Sequence, residues 1–272
     1  MKKVLLLSVT AMIVAATPAL AHFQMLYTPQ SALDGSTTIE LREVFTHPFA
    51  DEHTMDMGLQ EDGKTKPVEA FCVINKGKKN DLLPTLKPIS WQGHHNSGAA
   101  YQSQYKARRM GDHVFVLQPA PYYEGGEGIY IQQITKMIVN VAGAPTDWDA
   151  DLGLKAEIVP LTKPYSIWTG STFSGIVKSN GKPVPFAEIE VEYLNHEVDL
   201  EKNAMGKAYV EAPHDSFVTI GIKADANGKF TFGLPKAGWW GFCALGVGSD
   251  KEYQGKELSQ DAVIWVQVTD MK

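Results

Sequence analysis

The sequence has little cysteine, no surplus of positive charge, and no long apolar segment after its first twenty or so residues. Its 272 residues include two cysteines, Cys72 and Cys243, which form no Cys-x-x-Cys pair. This spacing argues against a thiolate metal site. The formal net charge of −6 argues against nucleic-acid binding. After residue 21, no apolar run approaches the ~20 residues that a membrane helix needs.

Signatures of common enzyme classes are also missing. The sequence contains no Gly-x-Ser-x-Gly nucleophile elbow, no phosphate-binding glycine loop and no dinucleotide-binding fingerprint. The glycine-rich segment 125–128 is followed by no helical pattern, so we interpret it as a turn. We therefore predict that the protein is not an enzyme.

The two cysteines leave two alternatives. In an oxidising compartment they could form one disulfide that ties the two halves of the chain together. Each also lies in an apolar, strand-like segment, 70–74 for Cys72 and 239–245 for Cys243, as is typical of separate buried thiols. We favour the second alternative.

The first 21 residues have the pattern of a secretory signal peptide. A lysine pair precedes an apolar run from Val4 to about Ala16, and Ala19–Ala21 supplies the small residues of a cleavage site. We therefore expect a soluble product exported to the periplasm. Removal of the two lysines takes the net charge from −6 to −8. The first residue of the mature chain would be His22.

A free N-terminal histidine is a chelating group. Its α-amine, with a pKa near ~8, and one imidazole nitrogen can bind the same cation, and a second histidine can complete a T-shaped or square arrangement. Cleavage one residue away would remove this chelate. We place the first metal ligand at His22.

Strand patterns dominate the remaining sequence, and helical periodicity is sparse. Ile189, Val191 and Tyr193 alternate with glutamates, which predicts that the three face a core and the glutamates face water. Turn residues at 179–182 and 225–228 separate short strands. The second half is therefore typical of a sandwich of immunoglobulin or transthyretin type.

The sequence predicts an all-β fold with two β-sandwich domains. An irregular segment between Gly143 and Lys163 separates the strand-rich halves. The predicted divisions are a signal peptide (1–21), an N-terminal β domain with histidine-rich loops (22–160) and a C-terminal β-sandwich domain (161–272).

Six of the eight histidines lie in the first half of the chain, and they suggest where a metal would bind. His47 and His53 share a loop with three carboxylates, and His94 and His95 are adjacent in a loop bounded by glycines. Neutral imidazole suits nickel, cobalt, copper and zinc ions. We predict that the ligands are His22, His47, His94 and His95.

Other residues near these loops are left open. A polar surface turn is the alternative for His94 and His95, and core packing is favoured over ligation for Met55 and Met57. The residues whose membership of the site stays open are His53, Met55, Met57, His113 and Glu124.

Ten segments together are similar to those of a known exported family. They are His22–Tyr27, His47–Phe49, Met55–Met57, Pro119–Glu124, Thr135–Lys136, Leu152–Leu161, Gly181–Pro185, Glu190–Asn195, Lys223–Gly228 and Gly238–Phe242. The chain resembles the NikK-like periplasmic components encoded with nickel or cobalt uptake transporters. His22 and His47 match the recurring positions best. Gln132 and Gln133 lie where relatives have a histidine nearby, so either His94 or His95 would substitute for it or the metal preference would differ.

The resemblance implies periplasmic capture of Ni²⁺ or Co²⁺ and delivery to the membrane components of an energy-coupling-factor type importer. Ni²⁺ is the expected ion, with Co²⁺, Cu²⁺ and Zn²⁺ as alternatives. A second hypothesis is a copper carrier or copper oxidoreductase built on an N-terminal histidine brace. A third is a structural sandwich without metal.

Overall fold

The computed structural model describes residues 22–271, so the predicted signal peptide, residues 1–21, lies outside the described residues. Within the described range the secondary structure is almost entirely β, without an α-helix, and the all-β prediction is confirmed. None of the helical turns in residues 22–271 has the length and apolar character needed to cross a bilayer.

The described residues form short and long strands joined by turns. In chain order the strands are β1 (Phe23–Tyr27), β2 (Ala32–Leu33), β3 (Thr37–Thr46), β4 (Thr54–Met55), β5 (Ala70–Asn75), β6 (Lys78–Asp81), β7 (Lys87–Gln92), β8 (Ser97–Ala107), β9 (Gly111–Gln118), β10 (Tyr122–Glu124), β11 (Ile129–Val141), β12 (Glu157–Pro160), β13 (Ile167–Trp168), β14 (Thr172–Ser179), β15 (Lys182–Pro183), β16 (Glu188–Tyr193), β17 (His196–Asp199), β18 (Ala204–Ala208), β19 (Ile220–Lys223), β20 (Lys229–Gly233), β21 (Gly238–Ala244), β22 (Glu252–Tyr253) and β23 (Lys256–Thr269). Two 3₁₀ turns are Leu83–Thr85 and Asp215–Phe217.

The strands pair into three sheets. The first has the order β1-β3-β8-β7-β18-β17, with β4 beside β3. The second, central sheet has the order β19-β16-β21-β23-β11-β9-β5-β6, with β2, β10, β13 and β22 attached to it. The third has the order β12-β14-β15, with β20 beside β14.

At β23 the central sheet is covered on both faces. In β23, Val263 and Trp265 pack into one core with residues of the first sheet, whereas Ile264 and Val266 pack into a second core with residues of the third sheet. This follows from the alternation of side chains along a strand. A strand that is buried on both faces has to be apolar at nearly every position, which accounts for the run 262–266.

The burial of Glu192 corrects the expectation that the glutamates of β16 face water. Ile189 and Val191 face the core, as predicted, but Glu192 is only 1% exposed and does not face water. Its carboxylate accepts hydrogen bonds from the backbone N–H of Phe49, at 3.3 Å, and from the hydroxyl of Thr219. The prediction of a solvated glutamate face is wrong at this position because the loop after β3 covers that side of the sheet.

The two halves of the chain share the central sheet. Strand β11 pairs in parallel with β23 over eight positions, from Tyr130 opposite Leu258 to Met137 opposite Trp265. Backbone hydrogen bonds therefore connect the regions before and after residue 161. The division into two domains at that residue stays a prediction.

The two cysteines are separate buried thiols in the structure. Cys72 packs in the core beside the third sheet, and Cys243 packs in the core beside the first sheet. They therefore lie on opposite faces of the central sheet, and burial raises the pKa of each thiol.

Strand β1 approaches the central sheet closely at Gly241. A Cβ atom there would lie 2.9 Å from Cδ1 of Phe23 and 3.0 Å from Cη2 of Trp265. The rings of Phe23 and Trp265 meet edge to face with centroids 5.9 Å apart. The absence of a side chain at position 241 therefore lets Phe23, the neighbour of His22, pack against the sheet.

We predict that Gly241→Ala lowers the free energy of unfolding by about 1–3 kcal/mol, since the added methyl forces two buried rings apart. Urea denaturation measures the change. The matched control is Gly233→Ala in β20, where an added Cβ meets nothing within 4 Å. Equal changes in the two variants would contradict the close packing at Gly241.

Candidate metal centre

His22 and His47 are brought together by strand register. Strands β1 and β3 are antiparallel, with Phe23 opposite Thr46, so one further step places His22 opposite His47. Their rings are nearly perpendicular, at 69°, with centroids 4.9 Å apart. Two of the four predicted ligands therefore meet where the first sheet packs on the central sheet.

The backbone beside His22 is fixed by side chains of the central sheet. Gln133 of β11 donates from Nε2 to the carbonyl of His22 at 2.7 Å, and its Oε1 accepts the N–H of Gln24 at 2.6 Å. The indole N–H of Trp265 donates to the carbonyl of Gln24 at 2.9 Å. These three hydrogen bonds anchor residues 22–24, so the position of the His22 imidazole does not depend on the first sheet alone.

Glu124 of β10 orients the His22 ring. Its Oε2 lies 3.2 Å from Nε2 of His22, and this contact is the main cause that lowers the pKa of Glu124 below its usual value. A carboxylate at this distance favours a proton on Nε2 and leaves Nδ1 as the nitrogen with a free lone pair. Nδ1 is also the ring nitrogen that can chelate together with an α-amine on the same residue.

His47 is buried without hydrogen-bond partners for its ring. Its side chain is 6% exposed, and neither Nδ1 nor Nε2 has a partner among the described residues. Burial, and to a lesser extent the neighbouring His22, lowers the pKa of His47 to about 4, so the ring is neutral at pH 7. Buried polar atoms without partners are rare in proteins and costly. A metal ion at this position would bind one of these two ring nitrogens, so His47 fits the role of a metal ligand.

Two buried carboxyl groups, those of Glu190 and Asp261, interact electrostatically with His22. Burial raises the pKa of Glu190 to about 7 and raises that of Asp261, and positive charge at His22 opposes both shifts. Asp261 accepts a hydrogen bond from the N–H of Gly246 at 2.7 Å and another from the hydroxyl of Ser259 at 2.6 Å. A cation at His22 would favour the ionised form of both carboxyl groups, so the electrostatic surroundings favour a cation.

The other two predicted ligands, His94 and His95, lie outside the His22–His47 pair. His94 packs against His196, with ring centroids 4.7 Å apart. The carbonyl of Gly206 lies 2.9 Å from Nε2 of His94 and 3.2 Å from Nδ1 of His196, and the carbonyl of Phe49 lies 3.1 Å from Nε2 of His196. Three of the four ring nitrogens therefore contact backbone oxygens. This second histidine pair connects the β17–β18 hairpin to the loop after β3.

The turn that carries His94 and His95 is held by a different carboxylate. Asp51, which is 1% exposed, accepts the backbone N–H of His94 at 2.6 Å, and His95 is exposed beside it. The loop 47–53 thus separates the two groups, with His47 facing His22 at one end and Asp51 facing His94 near the other. His196 was not anticipated from the sequence, since no histidine spacing connects it to His94.

The residues left open by the sequence have clear positions. Met55 and Met57 are 1% and 3% exposed and pack in the first core, as favoured. His53 is exposed, and the ring nitrogens of His113 lie 3.0 Å from the Tyr105 hydroxyl and 2.9 Å from the Arg109 carbonyl. Of these residues only Glu124 contacts the His22–His47 pair.

In the part of the chain that the structure describes, no group of three or more His, Cys, Asp and Glu side chains is arranged to hold a metal ion. The α-amine that cleavage after residue 21 would create is a backbone group and is therefore not among these side chains. A three-nitrogen site at His22 and His47 therefore depends on removal of the preceding residues.

We predict that the free energy of unfolding of the Glu192→Gln variant increases relative to that of wild type as the pH rises from about 5 to about 9. Burial raises the pKa of Glu192 from its ordinary 4.5 to about 8. Between these pH values the folded protein therefore keeps a proton that the unfolded chain has lost. The stabilisation that the protonated Glu192 side chain contributes to wild type is thus lost as the pH rises from 4.5 through 8. Glutamine cannot ionise, so the variant does not undergo this loss. The difference should reach the order of 3 kcal/mol in urea unfolding.

The control for this pH dependence is Glu188→Gln in the same strand, where the carboxylate is exposed and paired with Lys223 at 2.8 Å. That variant should show no comparable pH-dependent gain. A gain of the same size in both variants would contradict a buried, protonated Glu192.

Comparison with solved structures gives only distant likenesses. The D0–D1 domain of intimin is 12% identical, over 91% of this chain and 100% of that chain, with a TM-score of 0.21. Domains A168–A170 of titin are 9% identical, over 88% and 61%, with a TM-score of 0.20. Escherichia coli alpha-2-macroglobulin is 10% identical, over 92% and 20%, with a TM-score of 0.22. Scores this low carry no argument about function.

The sequence comparisons are more informative about the family. No curated protein matches this chain. The family model DUF4198, described as a domain of unknown function, matches residues 19–248, which is most of the chain and includes His22, His47 and Glu124. The chain therefore belongs to the DUF4198 family.

Proposed function

We propose that this protein, once residues 1–21 are removed, binds a divalent transition-metal ion between His22 and His47 and carries it as cargo. The observation that supports this most directly is the buried His47 ring, whose nitrogens have no partner among the described residues and which lies 4.9 Å from the His22 ring. Ni²⁺ is the first candidate, with Co²⁺, Cu²⁺ and Zn²⁺ as alternatives.

In this proposal the ion has three nitrogen ligands. The α-amine and Nδ1 of His22 form the chelate, and His47 supplies the third nitrogen. Glu124 holds the His22 ring in the required orientation through Nε2, as carboxylates commonly do for metal-binding histidines. All three nitrogens belong to a ligand class that Ni²⁺, Co²⁺ and Cu²⁺ bind well. His94 and His95 are not part of this ligand set.

The ring separation favours this arrangement over a copper brace. Two imidazoles that bind one ion at about 2.1 Å have centroids about 5 Å apart when they are adjacent and more than about 6 Å apart when they are opposite. The observed 4.9 Å supports adjacent positions. A T-shaped copper brace with opposed imidazoles would require the two rings to move apart.

The proposed destination of the ion follows from the sequence resemblance. The segments shared with the NikK-like components, together with the predicted signal peptide, support a periplasmic carrier that delivers Ni²⁺ or Co²⁺ to the membrane components of an energy-coupling-factor type importer. Delivery needs no catalytic residue, which agrees with the absence of enzyme signatures in the sequence.

We predict that the chain beginning at His22 binds Ni²⁺ in calorimetry at pH 7.5, and that a form with one extra Met before His22 binds at least tenfold more weakly. The added residue converts the amine into an amide and so removes one half of the chelate. A form beginning at Phe23 is the second control and should bind more weakly still. Equal affinity of all three forms would contradict a site at the N-terminus.

We predict that His47→Ala in the chain beginning at His22 reduces Ni²⁺ affinity at least tenfold, because it removes the third nitrogen. The matched control is His53→Ala, which removes an exposed imidazole from the same loop and should leave affinity unchanged. Titration with Cu²⁺ alongside Ni²⁺ tests the copper alternative. Equal losses in both variants, or none in either, would contradict the assignment of His47.

A further inference from the structure

One end of the molecule carries a concentration of positive charge. The turn between β5 and β6 and the turn between β8 and β9, together with the strand residues next to them, expose six cationic side chains: Lys76, Lys78, Lys79, Lys106, Arg108 and Arg109. None of the six forms an ion pair with a carboxylate in the described residues. We call the two turns and these adjacent strand residues the basic tip. Its charge is opposite in sign to the net charge of the chain.

Few carboxylates oppose the basic tip. Asp147 accepts the backbone N–H groups of Lys76 and Gly77, at 2.5 and 3.3 Å, and Asp81 accepts the N–H of Leu83 at 3.0 Å. Both carboxylates are thus engaged by backbone groups, and six cations remain around them. The cations therefore face solvent with a clear surplus of positive charge.

The two turns border a shared open groove. A cavity of about 460 Å³ is lined by Lys78 and Asn80 beside the first turn, and by Lys106, Arg108 and Arg109 at and beside the second. The cations thus form one surface, although they are about thirty residues apart in sequence. Charges on both sides of one groove attract an anionic surface more strongly than scattered charges do.

An apolar side chain projects from the same surface. Met110, the last residue of the β8–β9 turn, directly follows Arg108 and Arg109 and is 57% exposed. Cations that flank an exposed apolar residue are typical of protein segments that lie in the headgroup region of a bilayer. A free phosphate ion would use the charges but would leave Met110 without a role.

We propose that the basic tip docks on a membrane surface rich in anionic phospholipid. Lysine and arginine side chains contact headgroup phosphates, and Met110 enters the boundary between headgroups and acyl chains. This inference rests on charge and exposure at the two turns and does not depend on metal binding at His22.

The basic tip and the His22–His47 pair lie beside different parts of strand β11. Gln133, which holds His22, is near the start of β11, and Val141, at its end, pairs with Gly111 beside the β8–β9 turn. Eight residues at about 3.3 Å each separate these points by about 26 Å. Docking through the tip would therefore leave the histidine pair away from the lipid surface.

Vesicle co-sedimentation tests the proposal, using the chain that begins at His22 because the apolar run 4–16 could itself bind lipid. We expect binding to vesicles of phosphatidylglycerol and phosphatidylcholine in equal parts, and none to phosphatidylcholine alone. The variant K106Q/R108Q/R109Q should bind roughly a hundredfold more weakly, at about fivefold per charge. Met110→Ser should weaken binding without changing its dependence on salt.

The matched control is K182Q/K207Q/K229Q, which removes three exposed lysines that lie outside the basic tip. It should bind vesicles as wild type does, and thermal melting should confirm that both triple variants are folded. Equal losses in the two triple variants would overturn the proposal, as would equal binding to neutral vesicles or no binding to either. Release by inorganic phosphate far beyond that by chloride of equal ionic strength would indicate a phosphate site instead, and would also overturn it.

Discussion

The parallel pairing of β11 with β23 is the constraint on which the rest of this structure depends. It brings residues from the two halves of the chain into one central sheet, and around this pairing both faces of that sheet are buried in cores. The first sheet and the third sheet each need this surface to bury their apolar sides. The layers are therefore coupled, because removal of β23 would take away an inner wall of both cores.

The candidate metal centre depends on the same pairing. Gln133 and Trp265 lie on β11 and β23, and both donate hydrogen bonds to the backbone of residues 22–24. His47 and Glu124 reach His22 from two other directions, the end of β3 and the short strand β10. The chain's first described residues are thus fixed from several sides, which is unusual for a segment that would become a terminus after cleavage.

The sequence predicted the strand content because apolar alternation and turn residues are local signals. The alternation at Ile189 and Val191 identified one face of β16 correctly, but the burial of Glu192 depends on a loop more than 140 residues earlier in the chain. The meeting of His22 and His47 was anticipated as a pair of ligands, although its cause, the β1–β3 register, requires knowledge of which strands are neighbours. The separate position of His94 and its contact with His196 come from long-range packing that no spacing of histidines encodes.

The shared central sheet also has a consequence for fragments of this protein. A chain that ended near residue 160 would lack β23, and β11 would then present eight positions, 130–137, of unpaired backbone along one edge. Four of these eight side chains, those of Tyr130, Ile131, Ile134 and Met137, are apolar, with two on each face, and unpaired strand edges readily pair with other copies of themselves. The second half of the chain therefore protects this edge from self-association. During synthesis on the ribosome, the edge stays unpaired until β23 emerges.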